Sequence, residues 1–393
     1  MNYEIVHLPK EKWKGAVLPI GYTTNQYYDV NVDKTQAGYL ISIEKKDLID
    51  PITHSPDEYD YPDKLYADHW EHAYAWGVLV NDELIAAIET EQEVWSNRLR
   101  ITELWVSEQY QKQGIGHALI EIAKEQARRE RRRVVILETQ SCNVNAIDFY
   151  QHEGFSLIGM DTCCYKNNDL QRKEVRLEFG YFRNKKTPLT RDDMEIRMET
   201  PDDYYHVELM TQHAFWNKFR PGCDEHYLVH KLRMDKDYLP ELSRIAVKDG
   251  EVIGTIMYFK AEIVDGDITH EVLSFGPLCI APNWQGCGVG ELLVKETLIL
   301  ARDKGYKGIV IFGEPDYYPR LGFKTCDQYN ITTSDGKNFD AFMCLELEKG
   351  SMSGIKGKFI YSENLSDLPK DEVEKYNLKF PKLPKLNFPG QWE

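Results

Sequence analysis

The most constraining feature of the sequence is a short glycine motif that occurs twice. Residues 111–116 read Gln-Lys-Gln-Gly-Ile-Gly and residues 285–290 read Gln-Gly-Cys-Gly-Val-Gly, with the leading glutamines 174 positions apart. Apolar residues at helical spacing follow each motif, in GHALIEIAKEQARRE and GVGELLVKETLILARDKG. Behind each predicted helix, a Tyr stands four residues before Gly-Phe, at Tyr150 and Tyr318. The chain therefore contains two copies of one structural unit.

Both copies predict the same order of strands and helices. Residues 73–110 alternate as an antiparallel meander, and residues 243–263 predict a hairpin about Asp249-Gly250. An apolar strand follows each predicted helix, in RVVILETQ and GIVIFG. The length of 393 residues agrees with two α+β domains. We predict domains at residues 1–185 and 194–349, a linker at 186–193, and an extended tail at 350–393 packed on the second domain.

Charge and apolar content limit the classes of partner. The net charge of −16 would repel nucleic acid and anionic membranes. Residues 1–97 hold 7 basic and 18 acidic residues, which favours a cationic partner there, although solubility would also account for the excess. No stretch approaches the roughly 20 apolar residues that span a bilayer, and no basic segment precedes an apolar core at the N-terminus. We therefore expect a cytoplasmic protein that binds neither nucleic acid nor membranes.

The cysteines and histidines do not predict a metal site. The eight cysteines are scattered without a C-x-x-C pair, which favours reduced thiols over disulfides or a zinc site. His69 and His72 lack a convincing third ligand. We expect no metal.

A Gly-x-Gly between a strand and a helix favours binding of an anion. Glycine lets the backbone approach a ligand, and the free N–H groups and partial positive charge of a helix N-terminus attract phosphate. A P-loop would need Gly-Lys-Ser/Thr, which neither copy has. A dinucleotide fingerprint needs a small residue where Leu119 and Leu293 stand, although Glu138 at a strand end would suit a ribose. A helix-start turn without a ligand is the other alternative, and duplication of the motif disfavours it.

In their strand–loop–helix context, both motifs resemble the Q/R-x-x-G-x-G/A loop of the GNAT superfamily of N-acetyltransferases. The resemblance implies two tandem GNAT-like domains, each a twisted mixed β-sheet flanked by helices, with acetyl-coenzyme A (acetyl-CoA) as co-substrate. In the first copy, ELWV, LETQSCNVNAIDFYQHEGF, GMDTCCYKN and KEVRLEFGYF are similar to streptothricin acetyltransferases. In the second, GEPDYYPRLGF and EHYLVHKLR resemble a group of predicted acetyltransferases.

The resemblance also implies which residues contact the coenzyme in each copy. They belong to the loop, the helix start, the end of the central strand and, in the first copy, the start of the next helix. In the first copy they are Val106, Gln111, Lys112, Gln113, Gly114, Ile115, Gly116, His117 and Asn143. In the second copy they are Ile280, Gln285, Gly286, Cys287, Gly288, Val289 and Gly290. Ile311 stands where the second copy would need a counterpart of Asn143.

Acetyl transfer to an amine needs a neutral amine, a stabilised oxyanion and a proton for the departing thiolate. Tyr150 and Tyr318 match the superfamily's general-acid Tyr, and a phenol can donate a proton to the coenzyme sulfur. Packing in the core is the alternative role for each ring.

Glu103 is the candidate general base of the first copy. It lies eight positions before Gln111, whereas the carboxylate of several related enzymes lies nine before, where Thr102 stands. A one-residue offset moves a strand side chain to the other face. The second copy has Gly276 and Pro277 at these positions, so it shows no base.

The acidic, aromatic stretch at residues 55–76 predicts a site for a cationic amine, unless it is a solvated loop. Its candidate ligands are Asp57, Glu58 and Asp60, beside Tyr and Trp rings suited to cation–π contact. We therefore predict acetyl transfer from acetyl-CoA to a primary amine of a cationic small molecule, a streptothricin-like antibiotic being one candidate and antibiotic resistance its biological role. A polyamine or peptide N-acetyltransferase is the rival enzyme. One copy, more readily the second, is alternatively a non-catalytic acetyl-CoA-binding module, and a homodimer is left open.

Overall fold

The computed structural model describes residues 3–56, 62–182, 187–365 and 368–391. It separates into two compact units, Met1–Asn184 with Leu386–Pro389, and Lys185–Lys385 with Gly390–Glu393. Each unit is a mixed β-sheet flanked by helices, which confirms the predicted fold class. Within the predicted linker, the Leu189 N–H donates to the carbonyl of Cys287 at 2.8 Å, and both residues belong to the second unit.

The helices and strands of the first unit agree with the predicted meander and with the helix behind the glycine motif. The first unit contains, in chain order, β1 (Ile5–His7), α1 (Lys10–Trp13), β2 (Tyr22–Thr35), β3 (Gly38–His54), β4 (Tyr74–Val80), β5 (Glu83–Glu93), β6 (Arg98–Val106), α2 (Ile115–Arg129), β7 (Val134–Gln140), α3 (Val144–His152), β8 (Ser156–Asp161), α4 (Asp169–Arg172) and β9 (Arg176–Phe182).

The seven-stranded sheet of the first unit opens at its centre. Its strand order is β1-β4-β5-β6-β7-β9-β8, and β6 and β7 are its parallel pair. These two strands pair only where Arg98–Arg100 faces Val134–Ile136, although β6 continues to Val106 and β7 to Gln140. Beyond that short ladder the strands diverge, which leaves a cleft between their C-terminal ends.

Strands β2 and β3 form a separate two-stranded hairpin that the sequence did not predict. The Tyr28 N–H donates to the carbonyl of Ser141 at 2.8 Å, and Lys45 pairs with Asp148 on α3 at 2.7 Å. The base of the hairpin therefore lies beside the end of β7, whereas residues 31–41 are exposed.

The second unit repeats the sheet order of the first and has a helix pair, α5 and α6, between its first two strands. The second unit contains, in chain order, β10 (Glu195–Arg197), α5 (Tyr204–Phe215), α6 (Glu225–Leu232), β11 (Arg244–Lys248), β12 (Glu251–Asp265), β13 (Ile268–Ile280), α7 (Val289–Asp303), β14 (Gly308–Phe312), β15 (Lys324–Thr325), β16 (Ile331–Thr332), β17 (Phe342–Glu346), β18 (Gly357–Ile360) and α8 (Lys370–Asn377).

The sheet of the second unit opens in the same way. Its order is β10-β11-β12-β13-β14-β17-β15, with β18 beside β12 and β16 beside β18. The parallel pair β13 and β14 is in register only at Leu273 and Ile309, although β13 continues to Ile280 and β14 to Phe312. Both units thus present a cleft between two diverging parallel strands, directly before the glycine-led helix.

The apolar faces of α2 and α7 fix these helices against their sheets. The spacing of buried residues follows the 3.6-residue helical period, so one face of each helix enters the core. The buried residues of α2 include Ile115, Leu119, Ile120, Ile122, Ala123 and Ala127, and those of α7 include Val289, Leu293, Val294, Leu298 and Ala301. The first turn of each helix is therefore held rigidly at the mouth of the cleft.

The C-terminal tail divides between the two units. Helix α8 packs on α6 in the second unit, where the Tyr376 and Tyr227 rings lie 5.0 Å apart. Phe388, only 4% exposed, packs in the first unit, 5.4 Å from the Trp76 ring. The Trp76 Nε1–H also donates to the carbonyl of Asn387 at 3.1 Å. The prediction that the whole tail lies on the second domain is therefore wrong for Leu386–Pro389, whose apolar side chains complete the core of the first unit.

Candidate active sites

The two glycine loops share one backbone conformation. Gly114 and Gly288 are the N-cap residues of α2 and α7, with φ angles of 84° and 85°. Two residues earlier, Lys112 and Gly286 have φ angles of 61° and 80°. Left-handed φ values favour glycine, so Lys112 holds the turn at some cost in backbone strain. The duplicated sequence thus encodes a duplicated turn.

Both turns present unpaired N–H groups at a helix start. Within the described residues, the backbone N–H groups of 114–117 and of 288–291 donate to no protein acceptor. Such groups, together with the helix dipole, form a ready site for an anion. We call residues 111–117 the first cradle and residues 285–291 the second cradle.

The leading glutamine of each motif ties its loop to the central strand. The Gln111 side-chain amide donates to the carbonyl of Val106 at 3.0 Å, and that of Gln285 to the carbonyl of Ile280 at 3.1 Å. This shared contact explains why both copies carry Gln at that position. Direct contact of either glutamine with the coenzyme stays a prediction.

His117 and Asn143, both predicted to contact the coenzyme, also have protein partners. His117 Nδ1 lies 2.9 Å from Glu153, and Lys124 lies 3.5 Å from the same carboxylate. Ligand atoms of His117, Glu121 and Glu153 lie within 4.8 Å of one another, a spacing that could hold a metal ion. Asn143 caps α3 by accepting the Ala146 N–H at 3.3 Å.

Tyr150 lies in the core with its hydroxyl unbonded. Burial, and secondly the nearby charge of Glu103, raise its pKa to about 12. Its ring packs 6.2 Å from Phe155 and 6.4 Å from Phe179. Among the residues that the structure describes, none hydrogen-bonds its hydroxyl, so the proton is available to a group that enters the cleft.

Glu103 lies at a β-bulge on the same central strand. Glu89 pairs with Glu103 and Thr90 with Ile101, which leaves Thr102 as the extra residue. A bulge re-aims the side chains next to it, so counting positions from Gln111 does not determine which face Glu103 occupies. Its charge contributes, after burial, to the raised pKa of Tyr150.

Burial first, and then the charges of Asp63, Glu89 and Glu138, raise the pKa of Glu103 to about 9 from an ordinary value of 4.5. Glu138 is compensated by Arg100 and Arg176, whereas no described lysine, arginine or histidine forms an ion pair with Glu103. The cleft of the first unit therefore contains an uncompensated carboxyl group.

The shifted pKa of Glu103 leads to a stability prediction. Between about pH 4.5 and 9 the unfolded chain ionises this group while the folded chain keeps it neutral, so the group opposes folding increasingly as pH rises. Glu103→Gln should therefore raise the free energy of unfolding at pH 8 by more than about 1 kcal/mol and change it little near pH 4. Urea unfolding at both pH values checks this, with Glu121→Gln as the exposed control. An equal effect at both pH values would contradict the assignment.

Tyr318 holds the corresponding place in the second unit. It begins a 3-10 turn, Tyr318–Leu321, instead of a full helix, and its ring packs 5.9 Å from Phe275 and 5.4 Å from Phe323. Burial raises its pKa well above the usual range. No described group hydrogen-bonds its hydroxyl, in contrast to Tyr258, whose hydroxyl lies 3.0 Å from that of Thr297.

Gly276 and Pro277 lie at a bulge like that of Glu103. Ile256 pairs with Leu278 and Tyr258 with Phe275, so the register of β13 shifts at these two residues.

Sequence reasoning missed the aromatic residue before each candidate Tyr. A Cβ on Gly116 would lie 3.2 Å from Cζ of Phe149, and a Cβ on Gly290 would lie 2.9 Å from the Tyr317 hydroxyl oxygen. The last glycine of each motif therefore packs closely against this aromatic residue. In the sequence, each candidate Tyr directly follows another aromatic residue, in Phe149-Tyr150 and Tyr317-Tyr318. These pairs could have indicated the packing against the glycines.

Arg320 is a further residue that the sequence reasoning missed. Its guanidinium lies 4.2 Å from the centre of the Tyr317 ring, and its charge reaches Glu291 in the second cradle. A cation at this point suits the phosphates of a coenzyme. By contrast, Asp57, Glu58 and Asp60 lie outside the described residues.

The architecture and the cradles define a class of acyl-transferring proteins, and comparison with known proteins gives the family. The model of the acetyltransferase (GNAT) family matches residues 40–155 and 209–323, one match in each unit. The chain therefore belongs to the acetyltransferase (GNAT) family and is an N-acetyltransferase by that membership. This confirms the resemblance stated from the motifs.

Individual relatives share about half of the chain or less. The chain is 26% identical over 174 residues to the uncharacterized N-acetyltransferase YhbS of Escherichia coli (strain K12), covering 44% of this chain and 99% of that protein. It is 31% identical over 115 residues to a streptothricin acetyltransferase of Escherichia coli, covering 29% of this chain and 66% of that protein. The crystal structure of YhbS from Escherichia coli in complex with CoA aligns with a TM-score of 0.41 and 24% identity, covering 47% of this chain and 98% of that one. In the described part of the chain, no helix combines the length and apolarity needed to cross a bilayer.

Proposed function

We propose that the first unit transfers the acetyl group of acetyl-CoA to a primary amine of a cationic small molecule. The observation that carries this proposal is the uncompensated Glu103, which lies near Tyr150 at the cleft that the first cradle borders. Family membership supports acetyl transfer, and the free N–H groups of the cradle suit the pyrophosphate of the coenzyme.

In the proposed reaction, Glu103 accepts a proton and Tyr150 donates one. The Glu103 carboxylate accepts a proton from the acceptor ammonium, and the neutral amine then attacks the thioester carbonyl carbon. When the tetrahedral intermediate collapses, the C–S bond breaks and Tyr150 gives its proton to the coenzyme sulfur. The products are an acetamide and free coenzyme A, and solvent restores both side chains.

The charges around the cleft favour a cationic acceptor. Asp63, Glu89 and Glu138 all raise the pKa of Glu103, and a bound ammonium would lower it again by supplying the missing opposite charge. Streptothricin-like antibiotics and polyamines both carry several such groups. Similarity to a streptothricin acetyltransferase favours the former, and antibiotic resistance would be the consequence.

A thiol-release screen over amines tests the proposal. With acetyl-CoA fixed, we expect kcat/KM for streptothricin or polyamines to exceed that for neutral monoamines by at least about 10-fold, because each added ion pair in a partly buried site contributes about 1 kcal/mol or more. Asp63→Asn should reduce this preference, whereas Asp82→Asn, in the turn between β4 and β5, should leave it unchanged. No preference for cationic amines would overturn the proposed acceptor class, and no thiol release with any amine would overturn the proposed activity.

A further inference from the structure

The loops of the two cradles differ in one basic residue. The residue after the leading glutamine is Lys112 in the first copy and Gly286 in the second. Both adopt the left-handed turn, with φ angles of 61° and 80°. Lys112 is exposed, and no described carboxylate forms an ion pair with it. The second loop therefore keeps the turn of the first loop without its cation.

An arginine from another segment lies beside the second loop. Arg320 is the third residue of the 3-10 turn Tyr318–Leu321, which follows β14 in the chain. Its guanidinium carbon lies 4.2 Å from the centre of the Tyr317 ring. The hydroxyl oxygen of that ring lies so close to Gly290 that an added Cβ would be 2.9 Å from it. Tyr317 therefore connects the guanidinium to the first turn of α7, within the second cradle.

The charge of Arg320 is not used in an ion pair. Glu291, the acidic residue of the second cradle, pairs with Lys295 one turn along α7 at 2.6 Å. Within the part of the chain that the structure describes, no carboxylate forms an ion pair with Arg320, whose side chain is exposed. A guanidinium has five N–H donors, and contact with one aromatic ring leaves donors available for an anion.

A full positive charge is needed at a cradle of this chain more than in most proteins. The net charge of −16 repels a coenzyme that carries several phosphates, and the N–H groups of a helix start supply only partial positive charge. Arginine suits this position because its planar guanidinium can donate to two phosphate oxygens at once.

We propose that Arg320 binds the pyrophosphate of acetyl-CoA at the second cradle. The turn at residues 318–321 thus supplies the cation that Lys112 supplies from within the first loop. This proposal rests on the proposed use of acetyl-CoA by the chain, extended here to the second unit. A purely structural arginine, stacked on Tyr317 for stability alone, would leave coenzyme affinity unchanged when it is replaced.

The test uses full-length chain carrying Gly114→Val, so that calorimetry with acetyl-CoA reports the second cradle alone. In this background Arg320→Ala should weaken binding about 10-fold, because hydrogen bonds to charged groups are lost. Arg320→Lys, which keeps the charge without the paired donors, should retain part of the affinity. Lys304→Ala removes a cation at the other end of α7 and should leave the dissociation constant within about twofold. An unchanged constant in Arg320→Ala would overturn the role of Arg320.

Salt and a coenzyme analogue identify the interaction that Arg320 makes. Binding by the Gly114→Val chain should weaken as NaCl rises, and Arg320→Ala should reduce this dependence. A 10-fold loss with unchanged salt dependence would attribute the loss to altered packing and contradict the proposal. With 3′-dephospho-acetyl-CoA, which keeps the pyrophosphate, Arg320→Ala should cost the same factor as with acetyl-CoA. An effect that disappears with this analogue would overturn the assignment to the pyrophosphate.

Moving the cation back into the loop tests the equivalence with Lys112. In the chain with Gly114→Val and Arg320→Ala, Gly286→Lys should restore most of the affinity, since Lys112 shows that lysine can adopt this turn. Gly286→Gln, its neutral match in the same backbone conformation, should not. Equal affinity of these two variants would overturn the exchange of cations between the copies. If the Gly114→Val chain binds no acetyl-CoA, coenzyme binding by the second unit is overturned together with Arg320, whereas Gly288→Val still tests the first cradle separately.

Discussion

Tyr150→Phe is expected to lower kcat of the first site by at least about 100-fold while leaving acetyl-CoA binding within about twofold. In the proposed reaction the phenol protonates the departing thiolate, and loss of a general acid typically costs 10²–10⁴-fold. The ring itself remains and fills the same space beside Phe155 and Phe179, so the fold is kept. Steady-state thiol release with the best acceptor of the screen gives kcat, and calorimetry gives the dissociation constant.

Tyr181→Phe is the matched control for this variant. Tyr181 lies in the same unit, with its ring 5.7 Å from the Phe155 ring, and it is not among the residues assigned to the cleft. It should retain nearly wild-type kcat. If Tyr150→Phe also kept full activity with every accepted amine, Tyr150 would be a packing residue and the first site would need another proton donor.

Gly114→Val and Gly288→Val are each expected to abolish one acetyl-CoA site. Valine disfavours the left-handed φ of these caps by about 1–2 kcal/mol, and the turn that aims the cradle N–H groups would have to change. The nearest atoms to an added Cβ are 4.0 Å and 3.8 Å away, so the effect would come from the backbone and not from a clash. We expect each variant to bind one acetyl-CoA per chain, with affinity at the altered cradle reduced at least about 100-fold.

Controls at other left-handed glycines separate the cradle from general strain. Gly15 and Gly250 have φ angles of 79° and 82° and open space around them, in the first and second units. Gly15→Val and Gly250→Val should lose similar stability and still bind two acetyl-CoA molecules. If these control variants also lost acetyl-CoA binding, the loss of binding in Gly114→Val and Gly288→Val would be a consequence of unfolding.

Local sequence signals were sufficient wherever short-range chemistry sets the structure. The turns at Gly114 and Gly288 need left-handed backbone, and the apolar period of α2 and α7 needs one buried face, so both were predictable. The two Tyr positions followed from the duplicated spacing before Gly-Phe. Their catalytic roles stay predictions until the variants above are measured.

Long-range features were not predictable in the same way. The β2–β3 hairpin turns at Gln36-Ala37, which lacks the Asn-Gly or Asp-Gly signature of tight hairpins. Residues 386–389 are too few to show periodicity, and only the folded chain shows that Phe388 enters the core of the first unit. The bulge at Thr102 depends on pairing with β5, so the face of Glu103 could not be inferred by counting.

The two copies share the backbone conformation of the cradles and differ in the residues around them. The first unit has a strand glutamate at its cleft, whereas the second has Gly276 and Pro277 at the corresponding bulge and an arginine beside its cradle. Two units that bind the same coenzyme but act on different acceptors, or catalyse different reactions, would be expected to share the loop that holds the coenzyme and to differ in the residues around the acceptor.

Calorimetric titration of the full-length chain with acetyl-CoA tests the central claim most directly. We predict saturable binding of two acetyl-CoA molecules per chain, falling to one in each of Gly114→Val and Gly288→Val and to none in the double variant. Absence of binding by the wild-type chain, or full binding by the double variant, would contradict the assignment of both cradles to the coenzyme.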